Sequence, residues 1–144
     1  EYGLHPFAKS DAHGPVDSYY RGLRPMTLLL VDDKSLDGVK EAMFAGRTIA
    51  FFAGNLMGKE EYVTAMAHEC LESRMLNNMG DFAEYTVTNK SDIPFLIQVE
   101  GWNVPMLVGP RQTVKSRFGL NDMVTLKNCI VGKGQYVSIP LEKL

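Results

Sequence analysis

Two cysteines and three histidines in 144 residues are few, and each shortage removes a class of protein. Cys70 and Cys129 are too few and too far apart for a disulfide scaffold or a zinc knuckle, and each stands among apolar neighbours as a buried free thiol does. No apolar run approaches the roughly 20 residues that span a bilayer. The longest are "TLLLV" at 27–31 and "TIAFFA" at 48–53. The 15 basic residues are scattered among 17 acidic ones, for a formal charge of −2, so no surface is prepared for a phosphate backbone and nucleic acid is not an expected partner. There is no internal repeat and no low-complexity tract. The chain also opens without Met and without a basic-then-apolar leader, directly on "YGLHPF", and the expectation is a segment of a longer protein. What is present, 45% hydrophobic and 22% charged residues, is the composition of one globular domain or two small ones.

The texture of the chain changes near residue 80. Before it, strand and helix signals alternate. "MTLLLV" (26–31) is a β-rich run, and "KSLDGVKEAMFAGR" (34–47) is a helix with Ser35 as N-cap, Gly46 as stop, and an apolar stripe of Leu36, Val39, Ala42 and Met43. "RTIAFFA" (47–53) is a strand whose near-continuous apolarity predicts burial on both faces. "KEEYVTAMAHECLESRMLNNMG" (59–80) predicts an amphipathic helix with Glu60 and Glu61 in its first turn and Val63, Met66, Cys70 and Leu71 facing inward. After Gly80 come six short β runs, "FAEYTVTN", "PFLIQVE", "VPMLVG", "TVKSRF", "MVTLKNCIV" and "QYVSIPLE", separated by turn-forming residues. The expected fold is therefore α+β: two strands and two helices over 24–80, then an antiparallel β-sandwich-like portion over 81–144. A right-handed crossover through the 35–46 helix would make the first two strands parallel, and an antiparallel pairing stays open.

One short stretch suggests chemistry. In "SDAHG" (10–14), Ala12 separates Asp11 from His13, so a β period of two aims a hard carboxylate and a borderline imidazole to the same side. A bare Asp-X-His is a weak pattern, and Ser, Asp and Gly equally make a polar turn.

The stretches "SDAHGPVDS", "RPMTLLLV" and "SLDGVKEAMFAGRTIAFF" together resemble the carboxy-terminal portion of a PHP (polymerase and histidinol phosphatase) domain phosphoesterase. In that superfamily the last metal-binding motif is an Asp-X-His near a strand end, followed by an "ALxAGRT"-like helix exit, here "AMFAGRT" at 42–48. More narrowly, the chain is similar to bacterial PHP phosphodiesterase-like proteins, of the kind found in Bacteroidetes, that append a small β-rich domain. The resemblance covers residues 4 to about 58 with fairly specific motifs, and is loose from "VTNKSDIPFLI" onward. It implies a distorted (β/α) barrel holding two or three Mn, Fe or Zn ions, bound by an early His-X-His, acidic residues, further histidines and the late Asp-X-His. Only the last maps here, onto Asp11 and His13, and the other ligands are expected upstream. Residues 1–23 would then be the last strand and metal-motif tail of the catalytic domain. The implied reaction is hydrolysis of a small phosphoester, the metals lowering the pKa of a bound water and neutralising the phosphoryl oxygens. The implied partner is the protein's own amino-terminal catalytic domain. Two ligands alone hold a divalent ion weakly, so this chain by itself is expected to be inactive and without a tightly bound metal. Relatives with such appended domains are often exported, a lean toward the periplasm.

Other residues carry less. His68 sits mid-helix in "MAHEC", His5 precedes Asp11 by six positions beside Pro6, and Ser10, Asp17 and Arg24 flank the motif. "GKGQ" (132–135) lacks the spacing of a phosphate-cradling loop. "NKS" fits a glycosylation acceptor, with Asn89 reading as a turn residue, and Trp102 reads either as an exposed binding aromatic or as a cap on the sandwich core. Two functions follow. In the first, the chain is the carboxy-terminal segment of a metal-dependent phosphoesterase, which predicts uncovered apolar surface near residues 1–31. The alternative is a self-sufficient accessory domain that binds protein or glycan through its β-rich half and carries "SDAHG" as a loose arm.

Overall fold

The computed structural model describes residues 5–9 and 24–144. Strand β1 (Met26–Leu29) leads to helix α1 (Leu36–Phe44) through a compact start signal. Ser35 Oγ accepts from the backbone N–H of Gly38 at 3.1 Å, and the Asp33 carboxylate accepts from both the N–H and the hydroxyl of Ser35. The helix stops as expected at Gly46. There φ is +71°, Gly46 N–H donates to Met43 O and Arg47 N–H to Ala42 O, the paired bonds of a Schellman ending.

Strand β2 (Thr48–Phe52) then runs back along β1 in antiparallel register, Thr27 opposite Ala50. The parallel crossover is corrected by geometry. Leaving α1, the chain meets the carboxyl end of β1, where Leu30 N–H donates to Arg47 O, and from that end a strand can only return antiparallel. Ala53 and Gly54, both at positive φ, turn β2 into β3 (Asn55–Gly58), a hairpin partner that the sequence reading passed over.

Helix α2 (Glu60–Cys70) is half as long as its pattern suggested. At Leu71 the backbone turns extended, and residues 71–78 form strand β4 (Leu71–Asn78) along β5 (Phe82–Asn89). "LESRML" has good helix formers, but tertiary pairing with the alternating β5 overrides that weak local preference. Val63, Ala67 and Leu71 are buried, whereas Met66 and Cys70 are half-buried.

The remaining strands are β6 (Phe95–Val99), β7 (Met106–Val108), β8 (Thr113–Gly119), β9 (Met123–Gly132) and β10 (Gln135–Pro140), so all six expected β runs after Gly80 are strands. One curled seven-stranded sheet has the order β1-β2-β3-β9-β6-β7 with β10 also on β9, and a three-stranded sheet has the order β4-β5-β8. Both sheets mix strands from either side of residue 80: β3 lies parallel to β9, and β4 antiparallel to β5. One apolar core draws on both, with Ile49, Leu56, Val87, Phe95, Phe118 and Leu126 fully or almost fully buried. The fold is α+β.

Two buried amides fasten the strands, Asn89 between the two sheets and Asn128 within the seven-stranded one. Asn89 Nδ2 donates to the carbonyls of Ile93, Val108 and Gly109 at 2.7, 3.2 and 2.9 Å, while its Oδ1 accepts from Ser91. Asn128 donates to Gly54 O and Pro94 O and accepts from Leu96 N–H. These bonds satisfy loop backbone that the core would otherwise strand without partners.

Candidate functional site

The stretch "AGRT" (45–48) holds the segment that leads into "SDAHG". Each of its residues has a separate task. Ala45 is the C-cap of α1, its N–H donating to Glu41 O at 2.8 Å. Gly46 carries the left-handed turn, and a Cβ placed there would overlap Cε1, Nδ1 and Nε2 of His5, so the imidazole rests directly on the glycine backbone. Arg47 pairs both guanidinium nitrogens with the Glu41 carboxylate and donates from Nε to Leu30 O at 3.0 Å, joining the last turn of α1 to the end of β1. The Glu41 carboxylate raises the Arg47 pKa further above an already high value. Thr48 is fully buried, and its hydroxyl donates to Pro6 O at 3.2 Å.

A second clamp lies beside the first. Ala8 N–H donates to Thr27 Oγ1 at 3.0 Å, and that hydroxyl donates to Ala8 O at 2.9 Å. Residues 5–9 therefore lie across the face of the β1–β2 pair that carries Thr27, Thr48 and Ala50. The opposite face of β2 sends Ile49 and Phe51 into the main core. This is how residues 48–51 of "RTIAFF" come to be buried on both faces, as the composition predicted, while Phe52 at the strand end stays exposed.

Asp11 and His13, with Ser10 and Asp17, lie outside the described residues, as does any contact they make. His5 stands on Gly46 with Nδ1 buried and without a hydrogen-bond partner among the described residues. His68 is exposed in the last turn of α2. Arg24 is half-buried just before β1. Among the described residues no three His, Cys, Asp or Glu side chains come together in a way that could hold a metal ion.

The remaining candidates resolve as framework. Burial pushes the Cys129 thiol up to about 12, and burial also raises Cys70, partly offset by a hydrogen bond with Ser91. Neither is a thiolate nucleophile at neutral pH. The Trp102 ring stacks on Phe118, centroids 5.3 Å apart and planes 28° apart, and so caps the core. Asn89 is only 1% exposed, which makes it an internal fastener. A shallow cleft of about 480 Å³ opens where β3 and β9 diverge, lined by Pro6, Met57, Gly58, Lys59, Ile130 and Gly132 among others. Among the described residues that line it, Lys59 is the one charged group, and they include no acid–base pair.

No family model matches the chain, and no curated protein matches it. A solved structure does: a two-domain protein from Bacteroides vulgatus ATCC 8482 containing a predicted PHP-like metal-dependent phosphoesterase superposes with a TM-score of 0.84 over 95% of this chain, at 21% identity. The chain spans 45% of that protein's length. At this identity the match establishes a shared fold.

Proposed function

We propose that this chain is the carboxy-terminal part of a PHP-type metal-dependent phosphoesterase, in which Asp11 and His13 supply two metal ligands and the catalytic domain supplies the rest. The observation that carries this reading is the double clamp on residues 5–8, from Gly46 and Thr48 on one side and Thr27 on the other, which pins the backbone three residues short of Asp11. A ligand pair needs such support, because affinity and activity depend on a shell that fixes ligand orientation. The fold shared with the Bacteroides two-domain protein supports the same reading.

The described residues do not by themselves assemble a metal site, so this chain's part is to deliver and orient two donors. A carboxylate with an imidazole suits Mn, Fe or Zn. Such ions, when bound, supply a water of lowered pKa and charge neutralisation for a phosphoester substrate. A second reading, an accessory module that binds protein or glycan through its β-rich half, is favoured by a separate observation: Met75, Leu76, Met79 and Phe82 are exposed together around the β4–β5 turn.

The test is hydrolysis of a nitrophenyl phosphodiester by the whole gene product with Mn or Zn added. Activity that falls about 100-fold or more in Asp11→Ala and in His13→Ala is expected. An inactive gene product, or one indifferent to both substitutions, overturns the phosphoesterase reading and leaves the binding module.

A further inference from the structure

We infer that Asp37–Gly38 is a latent modification site, a peptide bond that rearranges to isoaspartate when the first turn of α1 opens, and that the Asp33–Ser35 cap is the latch that keeps it closed. The inference does not depend on the phosphoesterase reading.

The reactive pair stands alone in the sequence. Asp37 is the one aspartate or asparagine of the chain that glycine follows, and glycine leaves its backbone nitrogen unshielded. That nitrogen attacks Asp37 Cγ, and the carboxyl OH leaves with the amide proton as water. The product is a five-membered succinimide. Water then reopens the ring at either carbonyl. Opening at the former side-chain carbonyl returns aspartate, whereas opening at the former backbone carbonyl gives isoaspartate, with one extra carbon in the main chain.

Packing dictates that residue 38 is glycine. A Cβ there would lie 2.4 Å from Asp33 O, because the β1–α1 connection folds Asp33 against the helix start. The contact that fits the loop to the helix therefore also fixes a labile dipeptide in the first turn.

The same loop supplies the protection. Gly38 N–H donates to Ser35 Oγ at 3.1 Å, and the Ser35 hydroxyl donates to Asp33 Oδ2 at 2.7 Å, so the attacking nitrogen is tied to the cap. Ring closure also needs Asp37 Cβ and Gly38 N to eclipse about the Cα–C bond, which a helical ψ of about −42° prevents. Little else holds this turn. The Asp37 side chain is 95% exposed, with Lys40 Nζ 3.8 Å from its Oδ1, and Leu36 beside it is 69% exposed. Helix ends with few buried contacts open far more often than the core does, and each opening frees the nitrogen and the torsion together.

The experiment is ageing of the whole gene product at neutral pH and body temperature for several weeks, native and in urea. Trypsin cuts after Lys34 and Lys40 and releases "SLDGVK" (35–40), whose aspartate and isoaspartate forms separate by chromatography and are told apart by methyl transfer with an isoaspartyl methyltransferase. In the native wild type this peptide is expected to convert at least roughly tenfold more slowly than in urea. Ser35→Ala should raise the native rate about fivefold, while Ser35→Thr, which keeps a capping oxygen, should stay near wild type. All three should agree in urea. The wild-type comparison needs no variant, so it decides even where Ser35→Ala fails to fold. Equal native and urea rates in the wild type overturn the latch, equal native rates in wild type and Ser35→Ala overturn the part played by the cap, and an unchanged peptide in urea overturns the site itself.

Discussion

The imidazole of His5 occupies the space that a side chain at Gly46 would need. Gly46 thus serves two ends with one missing Cβ: it adopts φ +71° to close α1, and it lets the amino-terminal segment lie flat on the helix terminus.

Gly46→Ala should therefore cost about 2 kcal/mol or more, roughly 1 kcal/mol for the left-handed backbone and the rest for the clash with His5. Adding His5→Ala should return the steric part and leave the backbone part. Urea unfolding of the four proteins of this cycle measures both, and purely additive losses would mean that the two residues do not touch.

Asn89→Ala removes a side chain that satisfies three carbonyls and the Ser91 amide in a site almost closed to water. A loss of about 2–3 kcal/mol is expected, with Asn89→Asp worse because it points an anion at three carbonyl oxygens. Lys90→Ala next door, a surface change, should stay within about 0.5 kcal/mol. Equal midpoints for Asn89→Ala and Lys90→Ala in denaturant would contradict the fastener role.

Alkaline stability should carry the mark of Cys129. Its folded pKa is pushed up to about 12, above the unfolded thiol range near 9. Between those values the native state holds a proton that the unfolded state has lost, so stability declines as pH rises from about 9 toward 12. Cys129→Ala should flatten that part of the curve, as read by unfolding at stepped pH.

At the acid end the start of α1 is the sensitive point. The hydrogen bonds from Ser35 hold the Asp33 carboxyl below its usual range, so its contribution is present above about pH 4 and is lost as pH falls through the lowered pKa. Ser35→Ala should cost about 1 kcal/mol at neutral pH and shrink the acid slope. Arg111 lowers Asp92 in the same direction, and Arg111→Ala gives an independent second comparison.

Much of this was legible because it is local. Ser35 and Gly46 mark the ends of α1 by capping chemistry that needs no distant partner, and each β run after Gly80 alternates between turn residues. Strand β4 was not legible, since "LESRML" satisfies a helix pattern until β5 is beside it. Asn89 looks like a turn residue in the text and Asn128 falls inside a β run, and their role depends on carbonyls brought from other parts of the chain: for Asn128 from Gly54 and Pro94, for Asn89 from Ile93, Val108 and Gly109.

The candidate site divides in the same way. The Asp-X-His spacing and the "AGRT" helix exit can be recognised in the chain as written, though nothing in the order along it says what "AGRT" touches. Only the folded arrangement brings His5 onto Gly46 and Pro6 onto Thr48, some 40 residues away in sequence, and only it decides that β2 returns antiparallel to β1. The physical reason is that caps, turns and alternation are paid for within a few residues, whereas strand partners and contact faces are chosen by which distant surfaces bury one another.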